Sequence, residues 1–162
     1  MTAMLLKGVG AVAIFVSAVL AGQGMVARRR AATAQLAGFL RLFRTLRSEI
    51  EFYRAPVGDI LARMDPEVAI ACSGKGKAPR GDTFSAWLAE CAFLSEGLGR
   101  LMARAASEIG RGYHGQQLAV CDGYIETLEA MHRDSVNKQR EQSGLVNTLM
   151  IAAAAGTVIL LM

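Results

Sequence analysis

The chain has 162 residues, 52% apolar and 20% charged, with a net charge of +4. That length leaves room for one domain with a core of about 100 residues, and the near balance of 18 basic against 14 acidic residues argues against a nucleic-acid binder. A mean hydropathy of +0.30 points to a membrane, and the distribution along the chain points there more firmly. Residues 8–27 carry no charge, and neither do residues 142–162. All the acidic residues, and every basic one except Lys7, lie between them. Each uncharged stretch is about 20 residues, or about 30 Å as a helix, which matches the hydrocarbon core of a bilayer.

The first stretch, GVGAVAIFVSAVLAGQGMVA, has the makings of a membrane anchor. A cleaved signal peptide is the alternative, because a lysine precedes it and small residues surround Ala21. Arg28, Arg29 and Arg30 argue for the anchor, since basic clusters directly after an apolar segment resist translocation. The second stretch, SGLVNTLMIAAAAGTVILLM, reads as a spanning helix, with a buried core helix as the alternative. Basic residues flank both stretches on their inner sides, and only Lys7 lies outside. The positive-inside bias therefore puts the central domain in the cytosol. Ala18 with Gly22, and Ala152 with Gly156, stand at the small-residue spacing that lets membrane helices approach closely. Asn147 and Thr148 could add hydrogen bonds there. The sequence thus predicts an all-α membrane protein: transmembrane helices at 8–27 and 143–162 flank a small cytosolic helical bundle at 28–142.

Within the bundle, Leu36, Phe39, Leu40, Phe43, Leu46, Ile50 and Tyr53 recur at steps of three and four, predicting a helix over about 31–54. Pro56 ends it and opens a short helix, PVGDILARM, that stops near Asp65 and Pro66. CSGKGKAPRGD then reads as an exposed basic loop with Cys72 at its margin. Asp82 or Thr83 caps the next helix, whose face is Phe84, Trp87, Leu88, Cys91 and Leu94, with Gly97 and Gly99 weakening its end. LGRLMARAASEIG forms another helix and stops in the glycine-rich turn IGRGYHG. The last helix starts near Gly115, keeps Leu118, Cys121, Ile125 and Leu128 on one face, and continues with His132, Ser135 and Gln139. Residues 133–142 therefore read as a solvated stalk. No strand pattern competes.

Chemistry-bearing motifs are scarce. SGKGK lacks the GxxxxGK[ST] spacing of a phosphate-binding loop and has no strand before it. His114 and His132 are too far apart for a local metal pair, with no cysteine cluster beside them. Glu49 and Glu51 point to different sides of their helix, and Glu51 is better placed to pair with Arg47. Cys72, Cys91 and Cys121, odd in number and without CxxC spacing, fit a reducing compartment. The reading is of a protein that is not an enzyme and needs no cofactor or metal. Its candidate contact residues are Arg28, Arg29 and Arg30 beside the membrane and the stripe Arg41, Arg44 and Arg47 at helical spacing. These suit anionic lipid headgroups or an acidic protein partner, a merely solvated face being the alternative.

The string LRLFRTLRSEIEFYRAPVGDILARM resembles a signature of the stage III sporulation protein AB family, through Leu46, Glu49, Ile50, Tyr53 and Pro56. Trp87 resembles the family's tryptophan in its middle helix. Gly110 with Gln116 and Gln117 resembles the glycine and glutamines before its last helix. The order of anchor, basic residues, helical domain and anchor agrees along nearly the whole chain. The family usually carries an aspartate between that glycine and the glutamines, where this chain has Tyr113 and His114. The resemblance implies a non-catalytic platform component of a secretion-like channel complex, made during endospore formation in the mother-cell membrane around the forespore. It implies a soluble part similar to the cytoplasmic domain of the type II secretion platform protein. The implied partners are a secretion-type ATPase and other membrane subunits of the same assembly. A membrane-anchored adaptor or regulator would share the topology, and cleavage after Ala21 would instead give a secreted helical domain.

Overall fold

The computed structural model describes the backbone from residue 2 to residue 161, and the side chains of residue 24 and residues 26–141. Among the described residues every regular element is a helix and there is no strand, so the fold is all-α. The two predicted membrane spans, 8–27 and 143–162, fall almost wholly on residues whose side chains lie outside that description. Among the described residues no helix is long and apolar enough to cross a membrane.

Helix α1 (Thr2–Tyr53) runs unbroken from the apolar stretch into the bundle. Leu36, Phe39, Leu40, Phe43, Leu46 and Ile50 are buried, as the periodicity predicts, and so is Leu42, which it does not mark, while Tyr53 is exposed. The helix stops because Ala55 precedes Pro56 and is pushed out of the α region. Arg54 takes the left-handed turn at φ 50. The carbonyl of Pro56 accepts from Asp59 N and Ile60 N, which opens α2 (Val57–Ala62).

A third helix, α3 (Pro66–Ser73), occupies residues that the periodicity leaves unassigned. Its signal is in its cap rather than its faces. The Asp65 carboxylate accepts from Glu67 N at 2.9 Å, and Pro66 supplies a fixed φ where no backbone donor is needed. α3 ends at Gly74, left-handed at φ 66. The basic loop therefore begins two residues later than expected. Cys72 and Ser73 belong to α3 and are buried, which corrects the expectation that Cys72 stands at an accessible loop margin.

Of the two cap candidates it is Thr83 whose hydroxyl accepts from Ala86 N, at 3.3 Å, and starts α4 (Phe84–Ala89). α4 is shorter than predicted. Phe84, Trp87 and Leu88 are its buried face, and Cys91 is buried just beyond it, but Leu94 is 46% exposed. Gly97 and Gly99 lie in the first turn of α5 (Glu96–Glu108) instead of fraying α4. A turn with Gly110 and Gly112 at positive φ leads to α6 (His114–Leu161).

α1 and α6 lie side by side and antiparallel. Phe43 packs on Tyr124 with ring centroids 5.4 Å apart, Arg44 pairs with Glu129, and Arg47 pairs with Asp122. Rising residue numbers on α1 thus meet falling numbers on α6. The short helices close the core, in which Phe39 meets Trp87 edge-on and Phe84 stacks on Trp87. Each large side chain withdrawn here contributes about 1.5–3 kcal/mol of transfer free energy. Beyond Leu128 no described residue of α6 is buried. Ser135, Val136 and Gln139 are half-buried and their neighbours exposed, which agrees, as far as residue 141, with the solvation expected of 133–142. On α1, residues 26–31 are exposed in the same way.

Candidate interaction surfaces

The arginine stripe does not stand apart from the bundle. Arg44 reaches Glu129 at 2.6 Å and Arg47 reaches Asp122 at 2.6 Å, both across the α1–α6 seam. Arg47 also pairs with Glu51, as its spacing predicts. The two carboxylates beside Arg47, Asp122 foremost, raise its pKa. All these side chains are at least a third exposed, so solvent screens each pair and its contribution to stability is small. Arg41 is exposed, as are Arg28, Arg29 and Arg30 on the stalk. The six predicted contact residues thus separate into two that help fix helix register and four that face solvent.

The antiparallel pairing defines two ends. Residues near 28 on α1 and near 140 on α6 mark the proximal end, toward the apolar stretches. The distal end is where α1 stops and α6 starts. Here an open cleft of about 550 Å³ is lined by Ile50, Arg54, Phe84, Ile109, Arg111 and His114, among others. Beside it Phe52, Tyr53 and Tyr113 are 73–75% exposed. His114 Nε2 donates to the carbonyl of Ile50 at 2.8 Å, satisfying one of the carbonyls that a helix C-terminus leaves without a partner. His114, one of the two residues that stand where the resemblance expects an aspartate, thus ties the start of α6 to the end of α1. Exposed aromatics next to arginines are the composition that protein interfaces enrich. Sequence periodicity did not mark this patch, because Phe52 and Tyr53 continue an apolar run past the point where the helix leaves the core.

A second feature escaped the sequence reading. Gln35, 1% exposed, sits among the buried positions of α1. Its Nε2 donates to the carbonyls of Cys72 and Ala92, both at 2.8 Å, and its Oε1 accepts from Leu94 N at 2.9 Å. One side chain thus binds α1 to the end of α3 and to the α4–α5 connection. The available signal was a glutamine directly preceding Leu36 on the core face.

The three thiols are free and buried. Burial pushes all three pKa values up: Cys91 and Cys121 to about 11, and Cys72 further. Tyr124 is raised to about 12 by burial and by its hydrogen bond to Glu108. Protonated, buried thiols are inert packing groups. Among the described residues no cluster of three or more His, Cys, Asp or Glu is placed to hold a metal ion.

The described residues thus form an all-helical bundle with buried thiols and two exposed ends. The family model for stage III sporulation protein AB matches residues 7–162, and the chain belongs to that family. Its role therefore lies in stage III of sporulation, in a structural and assembly family rather than a known enzyme family. Neither the curated proteins nor the solved structures contain a match.

Proposed function

We propose that the chain is a non-catalytic membrane platform component of the stage III secretion-like complex, anchored at 8–27 and 143–162 in the mother-cell membrane around the forespore. Its bundle, 28–142, stands in the mother-cell cytosol and engages a secretion-type ATPase and other membrane subunits of the assembly. The observation that carries this reading is the pairing of α1 with α6. Both helices leave the bundle at one end, so the distal cleft with Phe52, Tyr53, Tyr113, Arg54 and Arg111 is the face a cytosolic motor would meet. Each long helix continues without a break from the bundle toward its apolar stretch, so a displacement at the distal end has no hinge in which to dissipate. The four solvent-facing arginines, Arg28, Arg29, Arg30 and Arg41, are left for anionic headgroups or neighbouring subunits, and Arg44 and Arg47 act first within the seam.

Affinity purification of the full-length chain from sporulating cells in mild detergent tests this. The ATPase should co-purify, and Tyr113→Ala or Arg111→Glu should release it while leaving the chain folded and in the membrane fraction. A wild-type chain that supports spore formation yet brings down no ATPase would favour an adaptor or regulator instead.

A further inference from the structure

The apex of the basic loop after α3, Lys75–Lys77, lines neither the core nor the distal cleft, and the fold decides where it goes. α3 runs antiparallel to α1. A Cβ on Gly38 would lie 2.9 Å from Ala71 Cβ, while a Cβ on Gly74 would lie 2.8 Å from Gln35 Nε2. Three residues further along α3 is thus three residues back along α1, and the C-terminus of α3 points to the proximal end. Lys75, Gly76 and Lys77 come directly beyond it and are exposed. The loop then turns back, since a Cβ on Gly58 in α2 would meet the Asp82 carbonyl at 2.6 Å. The SGKGK segment is therefore the apex of a turn at the end of the bundle where Arg28, Arg29 and Arg30 also lie.

The charge balance at this end is one-sided. Glu96 is paired with Arg100 and Asp134 with Lys138, and the Glu90 carboxylate accepts from Arg80 N. Glu90 keeps its charge in that contact and Glu141 is exposed, against Arg28, Arg29, Arg30, Lys75, Lys77 and Arg133, all exposed as well. Distances suit a membrane surface. Gln35 is eight residues from Ala27, about 12 Å along the helix. The headgroup layer occupies about 5–7 Å of that, and what remains is shorter than the Debye length of about 8 Å.

We propose that the Lys75–Lys77 turn docks on anionic phospholipid headgroups, as a third foot of the bundle beside the two helical stalks. This rests on the anchored topology proposed above. Gly74 and Gly76, both exposed, flank Lys75, and Gly76 alone separates it from Lys77, which leaves the ammonium groups free to meet phosphates. Docking would fix the bundle's tilt about the stalks and so the direction in which the distal cleft faces.

The test uses the full-length Ala78→Cys chain in nanodiscs that carry nitroxide-labelled headgroups, with a fluorophore on the new thiol, the native thiols being buried. The Tyr113→Cys chain is the distal control. Quenching at position 78 is expected in phosphatidylcholine–phosphatidylglycerol discs and not in pure phosphatidylcholine. Lys75→Gln and Lys77→Gln should each lower the docked-to-free ratio about fivefold, and raised salt should do the same. Chain that co-elutes with the discs yet shows no quenching at position 78 overturns docking while the anchored topology stands. Quenching equal in both lipids, or unchanged by the two substitutions, overturns recognition of charge. Chain that fails to enter the discs overturns the topology, and the docking with it.

Discussion

Replacing Gln35 by leucine removes a side chain that joins three segments of the bundle, and its cost can be worked from the contacts. Leucine has a similar volume and suits a helix, so neither a large cavity nor a propensity penalty enters. What is lost is two donated bonds at 2.8 Å, to Cys72 and Ala92, and one accepted at 2.9 Å, from Leu94. The Cys72 carbonyl is in the last turn of α3, where no helical donor remains, and leucine offers it nothing. A net hydrogen bond is worth about 1 kcal/mol, and a buried group left without a partner costs about 1–3 kcal/mol. With part of the site reachable by water, the loss should come to about 3–5 kcal/mol. That is a large fraction of the 5–15 kcal/mol typical of a domain. Urea unfolding of the full-length protein in detergent, followed by the emission of Trp87, the only tryptophan, measures it. Trp87 is 2% exposed in the same core and should shift to the red on unfolding. A loss below about 0.5 kcal/mol, the range of an ordinary surface change, would refute the assignment of Gln35 as the junction of α1, α3 and the α4–α5 connection.

Gly38→Val should cost about 1–3 kcal/mol, because its Cβ alone would lie 2.9 Å from Ala71 Cβ and 3.2 Å from two backbone atoms; the same unfolding curve reads this out. Arg54→Gly should raise stability by about 0.5–1 kcal/mol, since the left-handed φ of 50 at that position strains a residue with a Cβ; an unchanged midpoint would argue against that backbone turn. Alkaline pH should unfold the bundle through its buried acids. Cys91 and Cys121 are raised from 9.0 to about 11 and Tyr124 from 10.0 to about 12. Each is kept neutral by the fold, so its contribution is intact below the unfolded value and is lost as pH rises through the folded one. Melting temperature should be flat below about pH 9 and fall between about 9 and 12, and a curve flat across that window would contradict the burial of these groups.

The parts of the fold that could be read from the sequence are those where a long face repeats. The bundle half of α1 and the start of α6 follow from apolar steps of three and four that extend over many turns. α3 was not legible in that way, because eight residues give too few turns for a face, and its evidence was the Asp65–Pro66–Glu67 start. The end of α4 was overrun because Cys91 is buried from an irregular segment, and a buried apolar residue at the right spacing imitates a helical one. The surfaces were harder still. Arg44 and Arg47 looked like a free stripe because their partners, Glu129 and Asp122, are 85 and 75 residues away. Lys75 and Lys77 reach the proximal end only through the direction in which α3 packs on α1.

The most direct test of the whole account is the sidedness of the distal end on forespores released by gentle lysis of the mother cell, using the Tyr113→Cys chain and a membrane-impermeant maleimide. Tyr113 is 75% exposed and the native thiols are buried, so position 113 alone should react in the folded protein. The account predicts that the chain remains with the forespores and is labelled without detergent, since the bundle faces the mother-cell cytosol. A chain absent from the forespore fraction, or one labelled only after detergent opens the outer membrane, would contradict it.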